Sequence, residues 1–362
     1  MIMKISRKRI ITSSLLAIIL ILLIGTVLGL VIFKRNITYY RNLNVVETNT
    51  YERLYVLISD DTDSTLWNSI YEELLKVGPE KGVYVQNANQ KFSSDYSKAE
   101  LMEIAINEKV DGIILEGDED EEIRELVNLA HEKGIPVITV YSDVTDSYRE
   151  SYVGINNYNL GIEYGKLISS AAREILYKRT TEMTSDQVSV NPEVKVCIMM
   201  DNDKSSTLQN ILYSAMQSVT DNDGSSGARI ALETVVISGE DTFSVEESVQ
   251  EFFHVEQETP DIVVCLNELN TRSVYQAVVD KNAVGKIIII GYYDSDTILR
   301  GIERQAIYAT ITVDTHQVAQ YAIDALNEFY EMGRVSEYFG VDYTMINARN
   351  VEEFLQPDVE ED

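Results

Sequence analysis

The sequence predicts an α/β protein of two doubly wound parallel-sheet lobes with a hinge and an interlobe cleft, preceded by one N-terminal transmembrane helix. Three observations carry this. Val110–Leu115 (VDGIIL) and Gly134–Val140 (GIPVITV) are short apolar runs of strand length. Between them lies a segment with Ile123, Leu126, Val127 and Ala130 at helical spacing, which makes one βαβ unit. The same alternation of strand and helix restarts after residue 192, so two such lobes follow one another. Finally, Ile10–Phe33 is an uninterrupted run of 24 uncharged residues, long enough to cross about 30 Å of hydrocarbon.

The elements follow in chain order. Residues 1–9 are short and basic, 10–33 form the membrane segment, and 34–52 are a polar tether. Arg53–Ser59 reads as the first strand, and Leu66, Ile70, Leu74 and Val77 give the next helix its apolar face. Val83–Asn87 is a strand, and a helix around Ala99–Glu108 leads into the βαβ unit. After Gly154 a long helix carries Leu160, Tyr164, Leu167, Ile168 and Ala171 on one side, and polar Lys178–Pro192 reads as a surface loop. Strands at Val194–Met200, Ala228–Ile237, Asp261–Asn267 and Lys286–Tyr293 then alternate with helices at Thr207–Val219, Ser244–Val255 and Ser273–Asp280. The end adds a strand at Ile307–Thr312, a helix at Val318–Tyr330 and a strand near Val341–Ile346. The expected division is 53–154 with 314–338 as lobe 1, 155–313 with 339–356 as lobe 2, and 357–362 as an acidic tail. Ligands of open parallel sheets bind beyond the carboxyl ends of the strands, so two facing sheets enclose a cleft that closes by a hinge.

Charge narrows the partners. The net charge is −29; six basic residues and no acidic one precede residue 36, leaving 24 basic against 59 acidic residues, or −35, for the rest. Such a surface repels nucleic acid and anionic headgroups. Four basic residues precede the apolar run and Lys34 and Arg35 follow it; the positive-inside rule favours a cytoplasmic N-terminus and an extracytoplasmic body. The apolar core is too long for a typical cleaved signal peptide, so an uncleaved signal-anchor in the bilayer is expected. Cys197 and Cys265 each sit inside an apolar strand and read as buried thiols, with a bridge between them left open. His131, His254 and His316 lack metal-ligand spacing, and no nucleophile or phosphate-loop motif occurs. No catalytic residue, metal or cofactor is expected. The acidic run Glu116–Glu125 reads as carboxylates at a helix N-terminus.

Six pieces in order give the chain a resemblance to the type I periplasmic sugar-binding proteins, whose domain is shared with lactose-repressor-type regulators. They are STLW (Ser64–Trp67), VDGIIL, GIPVITV, YVGINNYNLG from Tyr152, CLNELN (Cys265–Asn270), and IIIIGYYDSDTILRGIERQAIYATIT. The resemblance implies a ligand-closing cleft with Asp60, Asp61, Ser64, Leu66, Trp67, Tyr141, Asn156, Gln209, Asn267, Tyr293 and Asp294 at or near the ligand. Sugar binders of this family hold hydroxyls with Asp, Asn, Arg and Gln, and stack aromatic rings on the sugar. Here Tyr141 stands where the family has an Asp at the end of the GIPVV strand, and Tyr293 precedes Asp294 in place of its Gly-Phe-Asp. The family's Arg falls near Gln209, and a Gln falls on Val313. The implied cleft is richer in aromatic surface and poorer in charged groups. It suits a less hydroxylated or partly aromatic ligand or a sugar in another pose, or else it works through protein contacts.

The expected function is that of a membrane-tethered, extracytoplasmic solute-binding protein that closes on a sugar or sugar-like molecule for an ATP-driven, ABC-type importer. The alternative is an extracellular sensor subunit acting on a membrane histidine kinase or another receptor. The importer permease or the sensor kinase is the expected protein partner.

Overall fold

The computed structural model describes residues 51–59, 64–92, 96–182, 193–201, 206–223, 229–239, 242–255 and 259–355. The expected N-terminus, membrane segment, acidic tail and all but the last two residues of the tether lie outside them. Among the described residues no helix is long and apolar enough to cross a membrane.

Twelve strands and ten α-helices alternate within the described residues: β1 (Arg53–Ile58), α1 (Thr65–Glu80), β2 (Val83–Asn87), α2 (Ala88–Lys91), α3 (Lys98–Glu108), β3 (Gly112–Glu116), α4 (Glu121–Glu132), β4 (Val137–Val140), β5 (Ser151–Gly154), α5 (Asn157–Glu182), β6 (Glu193–Asp201), α6 (Ser206–Asn222), β7 (Arg229–Ile237), α7 (Thr242–Val255), β8 (Ile262–Cys265), α8 (Glu268–Asp280), β9 (Ile288–Tyr292), α9 (Asp296–Glu303), β10 (Ala309–Val313), α10 (Thr315–Met332), β11 (Tyr338–Gly340) and β12 (Tyr343–Asn347). They build two six-stranded sheets, ordered β11-β5-β4-β3-β1-β2 and β12-β10-β9-β8-β6-β7. The first is parallel throughout. The second is parallel except for β12, which runs antiparallel to β10. Both lobes belong to one compact unit that begins at Tyr51.

Local chemistry explains the elements. Strands β3, β4, β8 and β10 are buried along almost their whole length, as parallel strands covered on both faces must be. Ser97 and Glu100 form a capping box that starts α3. Asp120 caps α4, with Glu121 and Glu122 in its first turn, the role read for the acidic run. Asp314 accepts from the Gln317 N–H to start α10, and Gly333 ends it with a positive φ.

Strand β11 pairs with β5 through Gly340 in the first sheet, and β12, from Tyr343, pairs with β10 in the second. Several details differ from the sequence reading. Helix α5 runs on to Glu182, where a loop from Lys178 was expected; its last turns are polar because they face solvent. Strands β5 and β11, each of four residues or fewer, are too short to leave a periodic pattern. Cys197 and Cys265 are buried on neighbouring strands, with Cys197 opposite Val263 and Cys265 opposite Met199.

A continuous apolar cluster runs from lobe 1 (Leu57, Trp67, Ile70, Ile114) to lobe 2 (Ile198, Val264, Tyr292, Tyr293). Separate cores fill the outer layer of each lobe, around Met102 and Val127 in lobe 1 and around Val249 and Val278 in lobe 2. The lobes therefore meet through apolar side chains.

Candidate functional site in the interlobe seam

Two tyrosines mark equivalent places in the two lobes. Tyr141 directly follows β4 and has φ 68°; Tyr293 directly follows β9 and has φ 74°. A left-handed backbone is uncommon for a bulky non-glycine residue and costs about 1 kcal/mol or more, so it persists only where surrounding bonds hold it. Those bonds are present. The Tyr141 N–H donates to the Val153 carbonyl at 3.2 Å, and its own carbonyl accepts the Tyr152 hydroxyl at 2.9 Å. The Tyr293 N–H donates to the Ile311 carbonyl at 2.7 Å, and its carbonyl accepts the Thr310 hydroxyl at 2.7 Å. Each turn throws a tyrosine off the carboxyl end of a sheet, towards the other lobe.

The rings meet in the seam. Trp67 on α1 packs edge-on against Tyr141, with centroids 6.2 Å apart and planes at 74°. Tyr141 in turn meets Tyr292 of the other lobe at 6.0 Å and 64°. Such edge-to-face pairs lie in the favourable range for aromatic contacts. Burial pushes the Tyr293 hydroxyl above its ordinary range, against a hydrogen bond with Ser69 of lobe 1; the charged groups acting on it are Asp294, Glu268 and Glu72. Burial likewise raises Tyr292 and the carboxyl of Asp294. A polar contact closes the rim, where the Glu119 carboxylate of lobe 1 accepts the Thr207 N–H of α6 at 2.9 Å.

The residues singled out from the sequence fall into three groups. Trp67, Tyr141 and Tyr293 come together in the seam; Leu66 is buried beside Trp67 in the same cluster, and Asp294 follows Tyr293, half-buried. Gln209 on α6 is buried. Ser64 and Asn267 serve as helix caps, accepting from the N–H groups of Trp67 and Asn270, and exposed Asn156 accepts from the Asn159 N–H. Asp60 and Asp61 lie outside the described residues. Sequence reasoning missed Tyr292, Ser69, Glu119 and Glu268. Tyr292 and Glu268 were legible in principle, since each adjoins a residue already chosen. Glu119 was absorbed into an acidic run with a sufficient helical explanation.

A surface groove of about 620 Å³ lies elsewhere, between the end of β7 and α7, lined by Val235, Ile237, Glu247, Glu251 and Phe252.

With sheets, crossings and seam in place, comparison with known families decides the relationship. Residues 55–332 match the model described as a periplasmic binding protein domain. The chain belongs to that family. Comparison with the sequences of characterised proteins finds no match. Among solved structures, this periplasmic binding protein is similar to GanP, a glucose-galactose binding protein from Geobacillus stearothermophilus, at 18% identity and TM-score 0.65, over 82% of this chain and 98% of that one. It is similar to a carbohydrate transporter solute binding protein from Agrobacterium radiobacter, solved with D-arabinose, at 15% identity and TM-score 0.67, over 83% and 96%. It is also similar to XylFII in a XylFII–LytSN complex, at 22% identity and TM-score 0.61, over 82% and 98%. At these identities the likeness is one of fold.

Proposed function

We propose that this chain is an extracytoplasmic solute-binding protein, held to the membrane by residues 10–33, that closes its lobes on a sugar or sugar-like molecule for an ABC-type importer. The observation that carries the reading is the pair of left-handed tyrosines, Tyr141 and Tyr293, at the carboxyl ends of facing strands. That is where doubly wound sheets bind ligands, and backbone strain kept at such a place points to function. Aromatic rings from both lobes offer stacking faces for a sugar ring, while Asp294, Glu268 and Gln209 supply polar groups for its hydroxyls. GanP and the arabinose-bound Agrobacterium protein are named for this kind of ligand.

A second reading has its own support. The protein is a sensor subunit that passes the closed state to a membrane receptor such as a histidine kinase. XylFII, similar in fold, was solved in complex with LytSN, and the lobes of this chain meet through their own aromatic side chains, as a domain working by protein contact would need.

Thermal unfolding of the full chain against sugars, sugar alcohols, nucleosides and small aromatics tests the binding role. A ligand specific for the folded state stabilises it by about 2.7 kcal/mol at a hundredfold excess over Kd. A shift that vanishes in Trp67→Ala and Tyr293→Ala supports the seam as the site; no shift with any compound overturns it. Deleting the gene then separates the partners. Loss of uptake of the labelled hit favours the importer, and loss of a transcriptional response with uptake intact favours the sensor.

A further inference from the structure

The seam has an electrostatic character that a neutral sugar does not need. Its walls are aromatic faces and edges from both lobes: Trp67 and Tyr141 on one side, Tyr292 and Tyr293 on the other. The charged groups acting on Tyr293 are all carboxylates, namely Asp294, Glu268 and Glu72. Glu268, in the first turn of α8, has a side chain only 9% exposed, and its Oε1 is buried without a hydrogen-bond partner. The Arg272 guanidinium, one turn on, stands 4.0 Å away, at the outer limit of an ion pair. Among the described residues, Arg149 is paired with Asp143 and buried Lys98 with Asp118. The buried polar group contributed by α6 is the neutral amide of Gln209.

Drawing a carboxylate out of water is costly unless a positive group meets it. Aromatic faces attract the same kind of group, because their quadrupoles favour a cation within about 6 Å of the ring centre. A strongly acidic surface raises the local concentration of cations around the whole body. Three independent features therefore select for one sign of charge.

Resting on the solute-binding reading above, we propose that the solute is cationic: a protonated amine or quaternary ammonium on a small sugar-like body, its positive group held between the aromatic rings of the seam and the carboxylate of Glu268. Because the rings come half from each lobe, the cation's cage is complete only when the lobes close.

Trp67 is the only tryptophan in the chain, so its emission reads the seam directly. The full chain in detergent micelles is titrated with glucosamine, galactosamine and tetramethylammonium, and in parallel with glucose and galactose, following Trp67 emission and the unfolding midpoint. The expected result is saturable binding of the cations, at least tenfold tighter than that of the matched neutral sugars and weakened by salt. Glu268→Gln lowers cation affinity at least tenfold while its unfolding midpoint stays within a few degrees of the parent. Should that variant fold poorly, Tyr292→Leu gives the same loss through the aromatic wall. Neutral sugars binding as tightly as their amino counterparts, or cation affinity indifferent to both substitutions, overturns the cationic class and leaves the solute-binding reading standing. Silence from every probe overturns both.

Discussion

The Glu119 carboxylate in lobe 1 accepts the backbone N–H of Thr207, in the first turn of a lobe 2 helix, at 2.9 Å. This contact spans the mouth of the seam, and its chemistry favours closure twice. A carboxylate makes a stronger acceptor than a neutral group, and the N-terminus of α6 presents unpaired N–H groups with a partial positive charge.

Replacing Glu119 by Gln therefore weakens closure without touching the aromatic contacts. The Gln amide oxygen still accepts the N–H, so the loss is that of the negative charge at the helix N-terminus, about 1 kcal/mol at most, and the ratio of closed to open molecules falls up to about fivefold. Small-angle scattering reads this as a larger radius of gyration. The same shift appears in the parent protein as salt is raised, and in Glu119→Gln the salt dependence is reduced. An unchanged radius in the variant would show that the apolar seam alone sets closure.

Tyr164 ties α5 to the sheet of lobe 2. Its buried hydroxyl reaches the Gly291 carbonyl at 3.1 Å and the Cys265 carbonyl at 3.4 Å, bridging the carboxyl-end regions of β8 and β9 just before Tyr292 and Tyr293. Tyr164→Phe leaves the packing and removes the bridge. It costs about 1–2 kcal/mol, the price of unsatisfied buried acceptors, measured as a lower midpoint in urea at unchanged slope.

Gly291 illustrates how tightly that strand end is built. A Cβ added there would stand 2.4 Å from Thr271 Cγ2. The Thr271 hydroxyl also accepts the Tyr292 N–H at 3.0 Å and donates to the Asn267 carbonyl at 2.7 Å. Gly291→Ala overpacks this contact and costs about 1–3 kcal/mol. Thr271→Ser keeps the hydroxyl and removes the methyl, so the double variant recovers most of the loss. A double-mutant cycle in denaturant measures the coupling; additive losses would exclude the steric account.

Much of this architecture was legible in the chain because parallel strands buried on both faces need continuous apolar runs. VDGIIL, GIPVITV and DIVVC could scarcely be anything else. The places where sequence reasoning stopped short have physical reasons. Strands β5 and β11 hold too few residues to show a period, and their pairing is set by tertiary contacts. The helix caps Ser64 and Asn267 look like ligand groups because the same small polar side chains do both jobs. Tyr141 and Tyr293 were found as departures from a motif, but their left-handed backbone follows from the ladder bonds of Val153 and Ile311, which no local pattern encodes. Glu119 acts across a distance of 88 residues, where sequence spacing carries no signal.

Asp294 and Glu73 set opposite trends with pH. Burial raises the Asp294 carboxyl above its ordinary value near 3.8. The native state then holds that proton more tightly than the unfolded chain does. Stability from this group is greatest at low pH and falls as pH rises from the unfolded value through the raised native one. Glu73 runs the other way. Hydrogen bonds from Lys76 and then His316 lower its carboxyl, so its contribution is present above the unfolded carboxylate range and is lost as pH falls through the lowered native value. Asp294→Asn should therefore raise the thermal midpoint near neutral pH and leave it little changed in acid. Glu73→Gln should lower the midpoint near neutrality and have less effect in acid. Scanning both variants and the parent from pH 3 to 8 reads the two slopes separately, because the sites lie in different lobes and their effects should add. If Asp294→Asn lowers the midpoint at neutral pH, its carboxylate is held by a favourable partner in the seam and the burial account of its shift is wrong.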